Sequence, residues 1–226
     1  MPKILASIKN LSEAKILINT DIDIIDLKDP LRGALGRLKE RDIIDIIKFI
    51  DKKKLTSSTV GDLPNNEALI SHNVNEISAT EVDFIKIGVY DNFYINTLCK
   101  IKSTKKLIAV FFADVFLPTE SEIKTLKESG FSGVMVDTSN KKLGNLFAHT
   151  SSAEISDFLE IAKKLDLLTG VAGSINETHI AEIVKLNPNY MGFRGALCTD
   201  KTVRNSEISQ ISVNNIINLV NKLKHN

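Results

Sequence analysis

Three lysines stand in surroundings that a charged side chain usually avoids. Lys28 closes the run Asp23-Ile24-Ile25-Asp26-Leu27-Lys28, and Lys86 sits at the centre of Phe84-Ile85-Lys86-Ile87-Gly88. Lys141 lies just past Gly133-Val134-Met135-Val136-Asp137. An extended chain turns alternate side chains to opposite faces, so Asp26 and Lys28 share one side while Ile25 and Leu27 share the other. By the same parity Lys86 opposes Ile85 and Ile87, and Asp137 opposes Val134 and Val136. Burying an ammonium without partners is costly. In a confined pocket a lysine can lose its proton near neutral pH and attack a carbonyl carbon. Interior salt bridges to Asp26 and Asp137 would explain the same pattern without any catalysis.

A second signal is independent of the lysines. Gly170-Val171-Ala172-Gly173-Ser174 and Gly192-Phe193-Arg194-Gly195-Ala196 each place glycines directly after a short apolar run. If those runs are the last two strands of a barrel, their loops are where such folds commonly hold a phosphate on backbone N–H groups. Gly173, Ser174, Gly195 and Ala196 are the candidate contacts, with Arg194 placed to pair with the anion in bidentate fashion. The competing reading makes Gly173 and Gly195 ordinary turn residues.

Other chemistries find little support. His72, His149, His179 and His225 are scattered, and the two cysteines, Cys99 and Cys198, form no motif, so no metal site is expected. There is no Gly-x-Ser-x-Gly elbow. His149, after Leu146-Phe147, reads as a packed histidine, and Asp114 as the cap of an approaching helix. A net charge of +1 argues against a nucleic-acid partner. No run is long and apolar enough for a membrane helix, and the opening residues are too soon interrupted by charge for a signal peptide. The expected compartment is a reducing cytoplasm. A homo-oligomer is compatible with this composition.

These side chains must be positioned by alternating short apolar runs and longer amphipathic ones, the pattern of repeated β/α units around a parallel sheet. Strands are expected at 4–8, 22–27, 55–60, 84–88, 107–112, 133–137, 168–172 and 190–193. Capping boxes at Thr119/Glu122 and Ser151/Glu154 mark two helix starts, and a last helix is expected over 208–223. Eight units in 226 residues fit one α/β domain over 1–226, a (β/α)8 TIM barrel. No Gly-x-Gly-x-x-Gly follows the first strand, which disfavours a doubly wound sheet. In a barrel, strands two, four and six can present Asp26, Lys28, Lys86, Asp137 and Lys141 to one another at the C-terminal mouth.

The segment Asp26-Leu27-Lys28-Asp29-Pro30-Leu31-Arg32-Gly33-Ala34-Leu35-Gly36 resembles a motif of the (5-formylfuran-3-yl)methyl phosphate synthases, enzymes of methanofuran biosynthesis in methanogens and methylotrophic bacteria. Val82–Gly88, 136–141 and the two glycine-containing loops are similar to later family motifs in the same order. Ala34 stands where serine is common. The resemblance implies a barrel lyase that joins two glyceraldehyde 3-phosphates and loses one phosphate and two waters. It also implies a Schiff base on Lys28, a proton-shuttling Lys86, and supporting roles for Asp26, Asp137 and Lys141. Such a reaction needs no cofactor, because each step is a proton transfer, condensation or elimination. Arg32 with Gly33 is a candidate for a second phosphate. The rival readings are a Schiff-base aldolase or isomerase acting on another phosphosugar, and a non-catalytic barrel that binds a phosphorylated metabolite.

Overall fold

The expected alternation folds into a closed barrel in which each strand pairs in parallel with its sequence neighbours and β1 meets β8. The structure is a computed structural model describing residues 1–223. Among these residues the strands are β1 (Lys3–Ile8), β2 (Ile24–Leu27), β3 (Leu55–Thr59), β4 (Phe84–Val89), β5 (Lys106–Phe112), β6 (Gly133–Asp137), β7 (Leu168–Val171) and β8 (Tyr190–Phe193). The helices between and after them are α1 (Leu11–Leu17), α2 (Glu40–Ile50), α3 (Glu67–Ser78), α4 (Asn92–Leu98), α5 (Glu120–Glu128), α6 (Ser152–Lys164), α7 (Ile180–Leu186) and α8 (Gln210–Lys222).

All eight expected strands form, with ends shifted by no more than two residues. Both capping boxes are made, at Thr119/Glu122 and Ser151/Glu154. Strand β1 stops at Ile8 because Asn10 turns to cap α1, its side chain accepting from the Glu13 N–H. Strand β2 starts later than expected. Asp23 precedes it and uses its carboxylate to accept the Ile4 N–H at 2.8 Å.

The period-2 parity separates two apolar layers. Ile25, Leu27, Ile85, Ile87, Val134 and Val136 face outward into the large core beneath the helices. Leu5, Ile24, Ile108, Met135 and Tyr190 face inward with Leu55 and Phe84 and fill the lower barrel. Tyr190 fits only because Gly170 has no side chain: a Cβ there would meet its ring at 2.4 Å. Above this apolar floor, register places Ser7 beside Asp26 and Asp26 beside Ser57. Polar and charged residues thus sit above an apolar layer at the C-terminal end, where barrel enzymes work.

Candidate active site

Strands β2, β4 and β6 bring the five suspected residues into one buried cluster. Lys86, only 2% exposed, donates to Asp26 Oδ1 at 2.6 Å. Asp26 is fully buried and also accepts from Ser57 Oγ at 2.6 Å and Ser7 Oγ at 2.8 Å. Lys28, 6% exposed, has its Nζ 4.0 Å from Asp137 Oδ2. The other oxygen of Asp137 takes the Lys141 ammonium and the Thr138 N–H, the latter at 2.7 Å. Lys141 donates further to Thr138 Oγ1 at 3.1 Å. Lys86 and Lys141 are therefore held by hydrogen bonds, whereas Lys28 has only a carboxylate at the edge of reach. That amine is the least engaged of the three.

Electrostatics point the same way. Burial pulls the Lys28 pKa down and the Lys86 and Lys141 charges assist, while Asp137 and Asp26 oppose; the outcome is about 8, against 10.5 for an ordinary lysine. Burial likewise lowers Lys141, against the pull of Asp137. Burial alone would raise both carboxylates. The ammonium groups and hydrogen bonds outweigh it, holding Asp26 below its usual range and Asp137 at about 2. Both aspartates therefore stay ionised at neutral pH, and Lys28, though mainly protonated there, is neutral far more often than an ordinary lysine.

The cluster forms the floor of a cavity of about 280 Å³ at the C-terminal mouth. Gly173, Ser174, Gly195 and Ala196 line it. Gly173 and Ser174 both have positive φ, +113° and +50°, so the chain turns sharply just after β7. Among the described residues the N–H groups of Gly173, Ser174, Ile175 and Gly195 reach no protein acceptor. A larger cavity, about 400 Å³, opens at the opposite end of the barrel, where Leu5, Ile24, Leu55, Phe84 and Ile108 share the wall with Lys3, Lys163, Asn187 and Asn189. Of the clustered lysines and aspartates only Lys86 touches it.

Two expectations need correction. Arg194 does not offer its guanidinium fork to a ligand: Nη1 and Nη2 donate to the two carboxylate oxygens of buried Glu13 at 2.6 and 3.0 Å. Its remaining donors go to the carbonyls of Ser7, Arg204 and Ser206. All five are used, so Arg194 fixes the chain after β8 to α1. Asp114 is not a helix cap; it accepts from Ser139 N and Oγ and from Asn140 N, shaping the loop that carries Lys141. Arg32 lies on the rim, paired with Asp29 at 3.3 Å and outside this cavity. His149 is packed, as expected, with a buried Nε2. Arg204, which lines the cavity, escaped the sequence reading because it sits in an irregular loop with no periodic pattern around it.

The sequence profile described as 4-HFC-P synthase matches residues 4–217. This chain belongs to the 4-HFC-P synthase family. A Methylorubrum extorquens protein provisionally named (5-formylfuran-3-yl)methyl phosphate synthase is 32% identical over 199 residues, covering 87% of this chain and 83% of the relative. The (5-formylfuran-3-yl)methyl phosphate synthase of Methanocaldococcus jannaschii is 29% identical over 222 residues, 92% of this chain and 94% of that protein. Among solved structures, 3-hexulose-6-phosphate synthase from Salmonella typhimurium superposes with a TM-score of 0.68 at 15% identity, covering 99% of this chain and all of the other. That likeness shows the barrel fold alone. Within the synthase family's first motif, the Asp29 N–H bonds the Gly36 carbonyl, closing a tight loop directly after Lys28. A Cβ on Gly36 would come within 2.2 Å of the Asp29 carbonyl oxygen, so the loop requires glycine there.

Proposed function

We propose that this barrel condenses two glyceraldehyde 3-phosphates into (5-formylfuran-3-yl)methyl phosphate, one phosphate and two waters, a step of methanofuran-type cofactor biosynthesis. The observation that carries the reading is the Lys28 amine, buried among two carboxylates and two further ammonium groups with its pKa drawn down to about 8. Neutral Lys28 adds to the aldehyde carbon, and loss of water gives an iminium that acidifies the neighbouring C–H. The Lys86–Asp26 pair serves as the base: Lys86 takes that proton once its own has passed along the 2.6 Å hydrogen bond to Asp26, and returns it in the dehydrations. Asp137 and Lys141 stabilise the charge that comes and goes on the imine nitrogen. The enamine attacks the second aldehyde, and ring closure with elimination of phosphate and water yields the furan, the C–N bond breaking in the same sequence to return the free Lys28 amine. The free amides of Gly173, Ser174, Ile175 and Gly195, with Ala196 beside them, form the phosphate end of the site. Family membership supports the product, and the lysine cluster supports the Schiff base.

Incubation with glyceraldehyde 3-phosphate should release inorganic phosphate while a furan absorbance grows. Phosphate release without a furan, or a reversible product with no release, would favour an aldolase or isomerase. Borohydride added during turnover should leave a reduced adduct on Lys28 by mass spectrometry, and no adduct would leave only a binding protein.

The pH dependence has a definite sign. Below about 8 Lys28 is mainly protonated and cannot add to the aldehyde. Adduct formation under subsaturating substrate should rise about tenfold per pH unit from pH 6 to 7 and level off above 8. A rise that continues to pH 10 in the rate of borohydride trapping would show an ordinary lysine instead.

A further inference from the structure

Six cationic side chains line the C-terminal cavity: Lys28, Lys86, Lys141, Arg194, Lys201 and Arg204. Five of them have a carboxylate within 4 Å, namely Asp137 for Lys28 and Lys141, Asp26 for Lys86, Glu13 for Arg194 and Glu177 for Lys201. Among the described residues, Arg204 alone of the six makes no ion pair, and its guanidinium donates to no protein acceptor. It is nevertheless partly buried and close enough to the catalytic cluster for Asp137 and Lys141 to feel its charge. Its side chain passes over Gly195, where an added Cβ would lie 3.7 Å from Arg204 Cγ. Gly195 is one of the residues whose amide is free.

The backbone beneath this side chain is tightly fixed. Arg194 Nε donates to the Arg204 carbonyl at 2.9 Å, and Arg194 is itself locked by two bonds to Glu13. An unpaired guanidinium on a pinned loop, facing amides without acceptors, is complementary to a doubly charged phosphomonoester. We propose that Arg204 is the side chain that binds the substrate phosphate, and that the Glu13–Arg194 pair is the positioning element that holds it over the Gly173–Ile175 and Gly195 amides. The inference rests on the reading of this cavity as a site for a phosphorylated aldehyde.

Arg204→Gln and Arg204→Lys test it with two aldehydes, glyceraldehyde 3-phosphate and unphosphorylated glyceraldehyde. The readout is the concentration giving half-maximal borohydride trapping on Lys28. Arg204→Gln should raise that concentration roughly 10- to 100-fold for the phosphorylated aldehyde and leave the other within about twofold, with Arg204→Lys intermediate. Glu13→Gln should raise the same value for the phosphorylated aldehyde several-fold with little change at saturation, a split that simple loss of folded protein would not produce. Unchanged discrimination in Arg204→Gln overturns the assignment. Inorganic phosphate supplies a check that needs no chemistry: it should raise the melting temperature of the wild type and fail to do so in Arg204→Gln. Equal shifts in the two proteins, or none in either, overturn the phosphate role of Arg204. Absence of any adduct in the wild type, with the phosphate shift intact and dependent on Arg204, would instead sink the condensation reading alone.

Discussion

Lys28→Met should abolish product formation and the borohydride adduct, and yet give a more stable protein. Methionine is close in volume and cannot form an imine, so activity should fall by at least roughly 10³-fold, as expected when a covalent nucleophile is removed. The stability effect follows from linkage. The folded-state pKa of Lys28, about 8, lies below the 10.5 of the unfolded chain. The unfolded state therefore binds more protons between these values, and stability rises with pH across that window. Below about 8 the penalty of burying the ammonium is fully present, a shift equivalent to about 3 kcal/mol at most. Methionine removes it, while Asp137 keeps Lys141 and the Thr138 N–H as partners. We expect a gain of about 2 kcal/mol at pH 7, or roughly 5 °C in melting temperature. The gain should shrink as the pH is raised toward 10. A variant that is destabilised at pH 7, or that still makes furan, would contradict the role given to this amine.

Asp26→Asn should have the opposite thermodynamic sign. Asp26 is fully buried and holds Lys86, Ser7 and Ser57 together. An amide there leaves the Lys86 ammonium without its counter-charge, and breaking one side of a buried pair typically costs about 3–5 kcal/mol. Because the folded pKa of Asp26 lies below its unfolded value of 3.8, its contribution is present above that pH and is lost in acid. The gap between wild type and variant in urea melts should therefore narrow as the pH falls toward 3. Catalytically, the Lys28 imine should still form and be trapped, whereas turnover should drop by roughly 10²-fold or more because the proton carrier is misplaced. Loss of trapping together with turnover would mean that Asp26 serves Lys28 rather than Lys86.

These opposite signs describe a site that trades stability for chemistry. The apolar layer of Leu5, Ile24, Ile108 and Tyr190 lies beneath the charged cluster, and the cavity at the opposite end of the barrel runs along it as far as Lys86. Burial of the site is what depresses the Lys28 pKa. Burial thus sets both the cost of the Lys28 charge and the availability of its amine.

The sequence by itself determined the barrel and the lysine–aspartate cluster, and the reason is periodicity. Alternation with period 2 fixes which face each side chain takes, and eight evenly spaced units leave few ways to close a parallel sheet. Asp26, Lys28, Lys86 and Asp137 were legible because a charge inside an apolar run is an anomaly that parity assigns to one side. The glycines after β7 and β8 were legible for the same reason, by their place after a strand. Only the tertiary structure decided which cations are free. Arg194 reads as an anion clamp from its neighbours in the chain, but its partner, Glu13, lies 181 residues away on α1. Asp114 likewise finds Ser139 and Asn140 across a strand connection. Arg204 has no pattern around it at all, and its availability follows from every other cation in the cavity having found a carboxylate. Partner choice among charges depends on distances of a few ångströms between segments remote in sequence, and local spacing carries no record of those distances.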